Sequence, residues 1–215
     1  MDNDLFRFGL TAFVTLFVVV DPLGGAPLFV GLLKSKERPV KRQTLTRAVF
    51  IAFGVAVSFL VAGKAVLSHL GVTVPAFAIS GGVLLFVTAL PMLFGQRPGL
   101  QAPENTERST AGEDIAVFPL AIPLLSGPGT IASVLLLANQ AGYEAARMGI
   151  LFFAIVAVFA LTWLVLQAGE SLMERLGEGK MHILTRVLGI LLAALAVQFV
   201  LNGISAYYRV LLAGG

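Results

Sequence analysis

The chain has 215 residues, of which 57% are hydrophobic and 13% charged, and its mean hydropathy is +0.90. A water-soluble domain of this length needs more charge to cover its surface, so the composition places the chain in a bilayer. The absence of cysteine excludes disulfides, thiolate nucleophiles and cysteine metal sites.

Six windows almost free of charge, each long enough for about 30 Å of hydrocarbon, predict membrane helices at 8–33, 48–68, 75–94, 115–138, 148–168 and 187–206. The amino terminus, "MDNDLFRF", carries two acids and no cationic start, so no cleaved signal peptide is expected. The first window contains "VVVDPLGGAPLFVGLL", 18–33, in which Asp21, Pro22, Gly24, Gly25 and Pro27 interrupt an apolar run. Proline removes a helical hydrogen bond and glycine weakens the helix, so a break is expected here. Asp21 is the only charge in the central part of any window. A carboxylate at the membrane centre costs about 2.5–3.5 kcal/mol. It is therefore a candidate to hold a proton, a sodium ion or a substrate ammonium, besides the plainer role of capping the next helix.

The third window carries "SGG", 80–82, small residues that permit close backbone approach. The polar stretch 96–114 reads as a solvated linker between an amino-terminal unit, 1–95, and a carboxy-terminal one, 115–215. In the fourth window "PLLSGPGTIA", 123–132, repeats the first interruption. Trp163 in the fifth window reads as packing. In the sixth, Gln198 and Asn202 lie four apart on one face, where they either line a pathway or bond another helix. Tyr207 and Tyr208 beside Arg209 fit an interfacial anchor. His69 and His182 lie near window ends and read as interfacial polar residues, so no metal site is expected. No nucleophile elbow, phosphate-binding loop or pair of carboxylates at membrane depth is present, and enzymatic activity is not expected.

The cations alternate between the connections. Lys34, Lys36, Arg38, Lys41, Arg42, Arg47, Arg97, Arg108, Arg175, Lys180 and Arg186 fall on one side; Arg7, Lys64, Arg147 and Arg209 fall on the other. The positive-inside rule then puts both termini outside the cytoplasm. It also accounts for the net charge of +3 without a nucleic-acid partner.

The two units match each other. At a shift of 106, Pro22 falls on Pro128 and Leu70-Gly71 on Leu176-Gly177; at 107, Gly82 meets Gly189 and Leu84-Leu85 meets Leu191-Leu192; at 108, Gly95 meets Gly203. Three spans per copy force the second to enter the membrane from the opposite side, as in many secondary transporters. The expected fold is all-α: six membrane helices in two inverted three-helix repeats, with the first and fourth broken at mid-membrane. Non-helical backbone at that depth is tolerated where it is buried in protein or lines a watery cavity. Residues after each break offer unpaired N–H groups that suit a carboxylate; those before it offer carbonyls that suit a cation. Together they match a small zwitterion. The expected binding residues are Asp21, Pro22, Gly24, Gly25, Ser126, Gly127, Pro128, Gly129 and Thr130, with Asp21 as the coupling-ion residue.

"DPLGGAPLF" (21–29), "IPLLSGPGTIA" (122–132) and "TRVLGILLAALAVQFVLNGI" (185–204) resemble the MarC family of bacterial and archaeal inner-membrane proteins, over about residues 5–208. The resemblance implies six membrane helices and transport of small neutral amino acids such as glycine and alanine with cation coupling. The family often has asparagine where this chain has Gly25. The sequence thus reads as a secondary transporter in the inner membrane, without cofactor, coupled to protons or sodium. The competing readings are a non-transporting scaffold or stress-response protein and an exporter of another small amphiphile.

Overall fold

In the computed structural model, residues 2–34, 36–94 and 116–213 are described; the linker expected at 96–114 lies outside them. The described residues form α1 (Asp2–Val20), α2 (Pro22–Leu32), α3 (Arg38–His69), α4 (Val74–Leu93), a π-helical segment (Ala116–Leu125), α5 (Pro128–Gln140), α6 (Ala145–Gln167) and α7 (Gly169–Ala213). There is no strand among them. Five stretches of the described residues are long and apolar enough to cross a membrane: Asn3–Leu32, Arg38–His69, Val74–Leu93, Ala145–Gln167 and Gly179–Arg209. The window expected at 115–138 is divided between the π-helical segment and α5, neither of which has that length alone.

Chain ends of the helices follow from local chemistry. Thr73 accepts a hydrogen bond from the Ala76 N–H at 3.3 Å and caps α4, whose second residue is Pro75. Gly71 (φ 68) turns the chain out of α3, and Gly177 (φ 72, ψ 161) interrupts α7, so that 169–176 forms a separate short piece. Helix α3 starts ten residues before its apolar window and runs 32 residues, roughly 48 Å at 1.5 Å per residue, so its cationic first turns project past the hydrocarbon.

Elements before residue 95 pack mainly on elements after residue 115. Helix α4 lies along α7, α1 and α3 along α6, and the π-helical segment and α5 against α3, with α5 also against α1 and α4. One core cluster gathers Leu16, Leu33, Leu45, Leu120, Leu151 and Ile155; another gathers Val19, Leu85, Met92, Leu192 and Phe199. Large apolar side chains such as Phe50, Val61 and Phe153 are left on the outside, 69–78% exposed. In water such surfaces would aggregate; against lipid they are the solvated face.

The α3–α6 pair is antiparallel and fastened at both ends. At one, the Trp163 Nε1–H donates to Thr46 Oγ1 at 3.0 Å and the Arg42 guanidinium sits 5.8 Å from the indole centroid, while just past α6 Lys41 pairs with Glu170 of α7. At the other, Lys64 lies 4.6 Å from the Tyr143 ring centroid. Burial lifts the Tyr143 phenol above its ordinary pKa.

Candidate functional site

Asp21 is the hinge of the first interruption. Its N–H still donates to the Phe17 carbonyl at 3.0 Å, which completes the last turn of α1; its own carbonyl accepts from Gly25 N–H at 3.0 Å, which opens α2. Between these bonds its backbone is left-handed (φ 46, ψ 62), a conformation that asparagine and aspartate tolerate better than other non-glycine residues. The carboxylate curls onto the new helix, where Oδ1 accepts the Gly24 N–H at 3.0 Å. A Cβ at Gly24 would run into that carboxylate, so the cap and the glycine require each other. Pro22, at the first helical position, has no N–H to leave unpaired.

The second interruption is built differently. Ser126 N–H donates to the Ala121 carbonyl at 2.9 Å, extending the wide π-type pattern by one residue. Gly127 (φ −64, ψ 173) then lets α5 start at Pro128 with no side-chain cap. The hydroxyls nearby bind backbone: Ser126 Oγ donates to the Ala52 carbonyl of α3 at 2.6 Å, and Thr130 Oγ1 donates to Leu125 at 3.0 Å. Ser126 and Thr130 are both buried, so these bonds fix the break against α3 and against its own preceding turn.

The fold brings the two interruptions together. Gly25 faces Leu124 of the π-helical segment, and a Cβ on it would lie 3.7 Å from that side chain; Gly129 faces Val19 of α1, with a Cβ at 3.5 Å. Each post-break helix thus packs against the residues just before the other break. The space over Gly129 is filled by Leu85 of α4, whose side chain would have to move to admit a Cβ there. Gly25 is under no such demand: its other neighbour, Leu166, would be 4.0 Å from a Cβ. Gln198 and Asn202 stand apart from the breaks. Gln198 is on the exposed flank of α7, where its Nε2 donates to Asn202 Oδ1 at 2.8 Å.

The family model described as "MarC family integral membrane protein" matches residues 6–208. The chain belongs to the MarC family. Among the relatives of this MarC protein, the UPF0056 inner membrane protein YhgN of Escherichia coli K12 is 34% identical over 200 residues, 93% of this chain and 98% of its own. A UPF0056 membrane protein of Methanocaldococcus jannaschii is 33% identical over 201 residues, covering 92% and 96%. The UPF0056 membrane protein YvbG of Bacillus subtilis is 31% identical over 212 residues, covering 96% and 99%. No solved structure matches the chain. The protein is an integral membrane protein, and its E. coli relative is named as one of the inner membrane.

Sequence reasoning did not find the cluster of Arg42, Thr46 and Trp163 or the pairing of Lys41 with Glu170. The residues of each contact lie more than a hundred positions apart, and Trp163 on its own reads as core. The usable signal was the position of Trp163 within a turn or so of the end of α6, where an indole N–H commonly finds a polar partner.

Proposed function

We propose that this protein is a secondary transporter of small neutral amino acids, rather than an enzyme or a scaffold, and that the two interruptions form its substrate site. The observation that carries the reading is the meeting of the breaks, Gly25 on Leu124 and Gly129 on Val19, with Asp21 at the hinge of one of them. In the proposed mechanism the uncapped N–H groups at the start of α5, at Gly129 and Thr130, hold the substrate carboxylate. Asp21 holds the coupling cation, a proton or sodium, or the substrate ammonium. Ser126 and Thr130 keep the break in shape. Leu85 covers Gly129, so substrate entry requires that side chain to swing away.

An inverted repeat of two three-helix units, 1–95 and 115–215, supports transport by exchange of two equivalent arrangements. Features at matching positions support the repeat. Asp21 and Gly127 each precede a helix that starts on proline, at Pro22 and Pro128; Gly71 and Gly177 both have a positive φ, 68 and 72. A Cβ on Gly82 would lie 3.1 Å from Val200 N, and one on Gly189 would lie 3.4 Å from Leu93 N, which is the same contact with the two units exchanged. In this reading the π-helical segment and α5 together make the sixth crossing, and both termini lie outside the cytoplasm.

The test is uptake of labelled glycine or alanine into proteoliposomes under an imposed proton or sodium gradient. Gradient-driven uptake, competed by glycine but not by glycinamide, is the expected result, since a neutral amide gains little from a helix N-terminus. Absence of uptake in both membrane orientations and under both gradients would favour the scaffold, and equal competition by glycinamide would remove the carboxylate from the site.

A further inference from the structure

Two hollows share Thr46, one on the face of α3 alone and the other on the outside of the α3–α6 pair. One, of about 770 Å³, is walled by Arg38, Arg42, Gln43 and Arg47; the other, of about 520 Å³, is an apolar groove walled by Phe50, Phe53, Phe159, Trp163 and Leu164. A cationic head thus continues into a greasy tail along the outer surface of a membrane-spanning pair. Nearby Lys41 is already engaged by Glu170, whereas among the described residues neither Arg38 nor Arg42 has a carboxylate partner. Arg42 is held in place by the indole of Trp163, and that indole is held by Thr46.

We propose that this composite hollow is a binding site for one anionic phospholipid, with the phosphate on Arg38 and Arg42 and an acyl chain in the groove between α3 and α6. Guanidinium groups bind phosphate through paired N–H donors, and clusters of basic residues at the end of a membrane helix attract anionic headgroups. The groove offers an acyl chain an almost wholly apolar wall, which a free phosphate would leave unused. Such a lipid would tie the first turns of α3 to the end of α6, beside the point where Lys41 joins α3 to Glu170 of α7. The site lies on the outward face of α3 and α6, and does not depend on what is transported.

Trp163 is the only tryptophan in the chain and forms part of the groove wall, so its fluorescence reads occupancy directly. The full-length protein in phosphatidylcholine vesicles is titrated with phosphatidylglycerol or phosphatidylcholine carrying brominated acyl chains, which quench an indole on contact. The expected result is half-maximal quenching at a mole fraction of the anionic lipid at least about fivefold below that of the zwitterionic one, the effect of one well-placed arginine. Arg38→Gln should reduce this preference, and Arg38→Gln with Arg42→Gln should abolish it. The first variant leaves Arg42 over the indole and stays readable if the second alters the emission. Equal quenching by the two lipids in the wild type, or a preference that survives both substitutions, overturns the proposal. Relief of quenching by millimolar inorganic phosphate also overturns it, because the site would then be one for a free anion.

Discussion

Asp21 caps α2 and, in the proposed function, also holds the coupling cation; substitutions distinguish the two. Asparagine keeps both a capping oxygen and tolerance of the left-handed backbone, and changes only the charge. Asp21→Asn is therefore expected to fold and insert with a stability within about 0.5 kcal/mol of wild type while losing gradient-driven uptake. Asp21→Ala removes the cap and strains the φ of 46, and should cost about 2–3 kcal/mol in thermal unfolding in detergent. Full gradient-driven uptake by the asparagine variant would reduce Asp21 to its structural job. The adjacent glycines should respond with opposite signs. Gly24→Ala displaces the Asp21 carboxylate from its N–H and should cost about 1 kcal/mol, the worth of the cap. Gly25→Ala meets only Leu124 and Leu166 at ordinary contact distance and should gain about 0.5–1 kcal/mol from helix propensity. Loss of stability in both would show that α2 is packed more tightly than these contacts indicate.

At the scale of elements, the most extensive helix pairing, α4 on α7, is set by glycines. A Cβ at Gly82 would lie 2.6 Å from the Ala196 carbonyl, one at Gly189 2.8 Å from the Met92 Cβ, and one at Gly203 2.8 Å from the Pro75 carbonyl. Between membrane helices, association rests on such close packing rather than on a hydrophobic driving force. Gly82→Ala and Gly189→Ala push on backbone or on a Cβ, which cannot rotate away, so each should destabilise by about 1–3 kcal/mol. Gly54→Ala, with nothing within 4 Å, is the control and should not destabilise. Melting midpoints of the three variants in one detergent decide the matter; equal midpoints for Gly82→Ala and Gly54→Ala would mean that the helices separate freely. The breaks themselves were readable from "DPLGG" and "SGPGT", since proline and glycine act on their own backbone. The π-type winding of Ala116–Leu125 was not readable, because it depends on which carbonyl each N–H finds within a packed bundle.

For the whole molecule, the charge distribution predicts an orientation. A periplasmic reporter fused after Arg209 should be active and one inserted within 34–47 inactive; the reverse pattern would turn the protein over in the membrane, and equal activity of the two would put both positions on one side and remove the inverted-repeat account of its halves. Composition, the apolar windows and the paired interruptions are local properties of the chain, since hydrocarbon acts on each window through its length and its charge. For that reason the sequence alone determined a polytopic helical membrane protein, the family, the positions of the breaks and Asp21 as the exceptional charge. Contacts between distant segments have no such local cause. Only the tertiary structure decided that Gly25 meets Leu124 and Gly129 meets Val19 and Leu85, and that Ser126 is tied to Ala52. It also decided that Gln198 turns outward and that Arg42, Thr46 and Trp163 form one cluster. The face a membrane helix turns inward is fixed by which small residues let a neighbour approach, and a nearly uniform apolar sequence leaves that choice to packing.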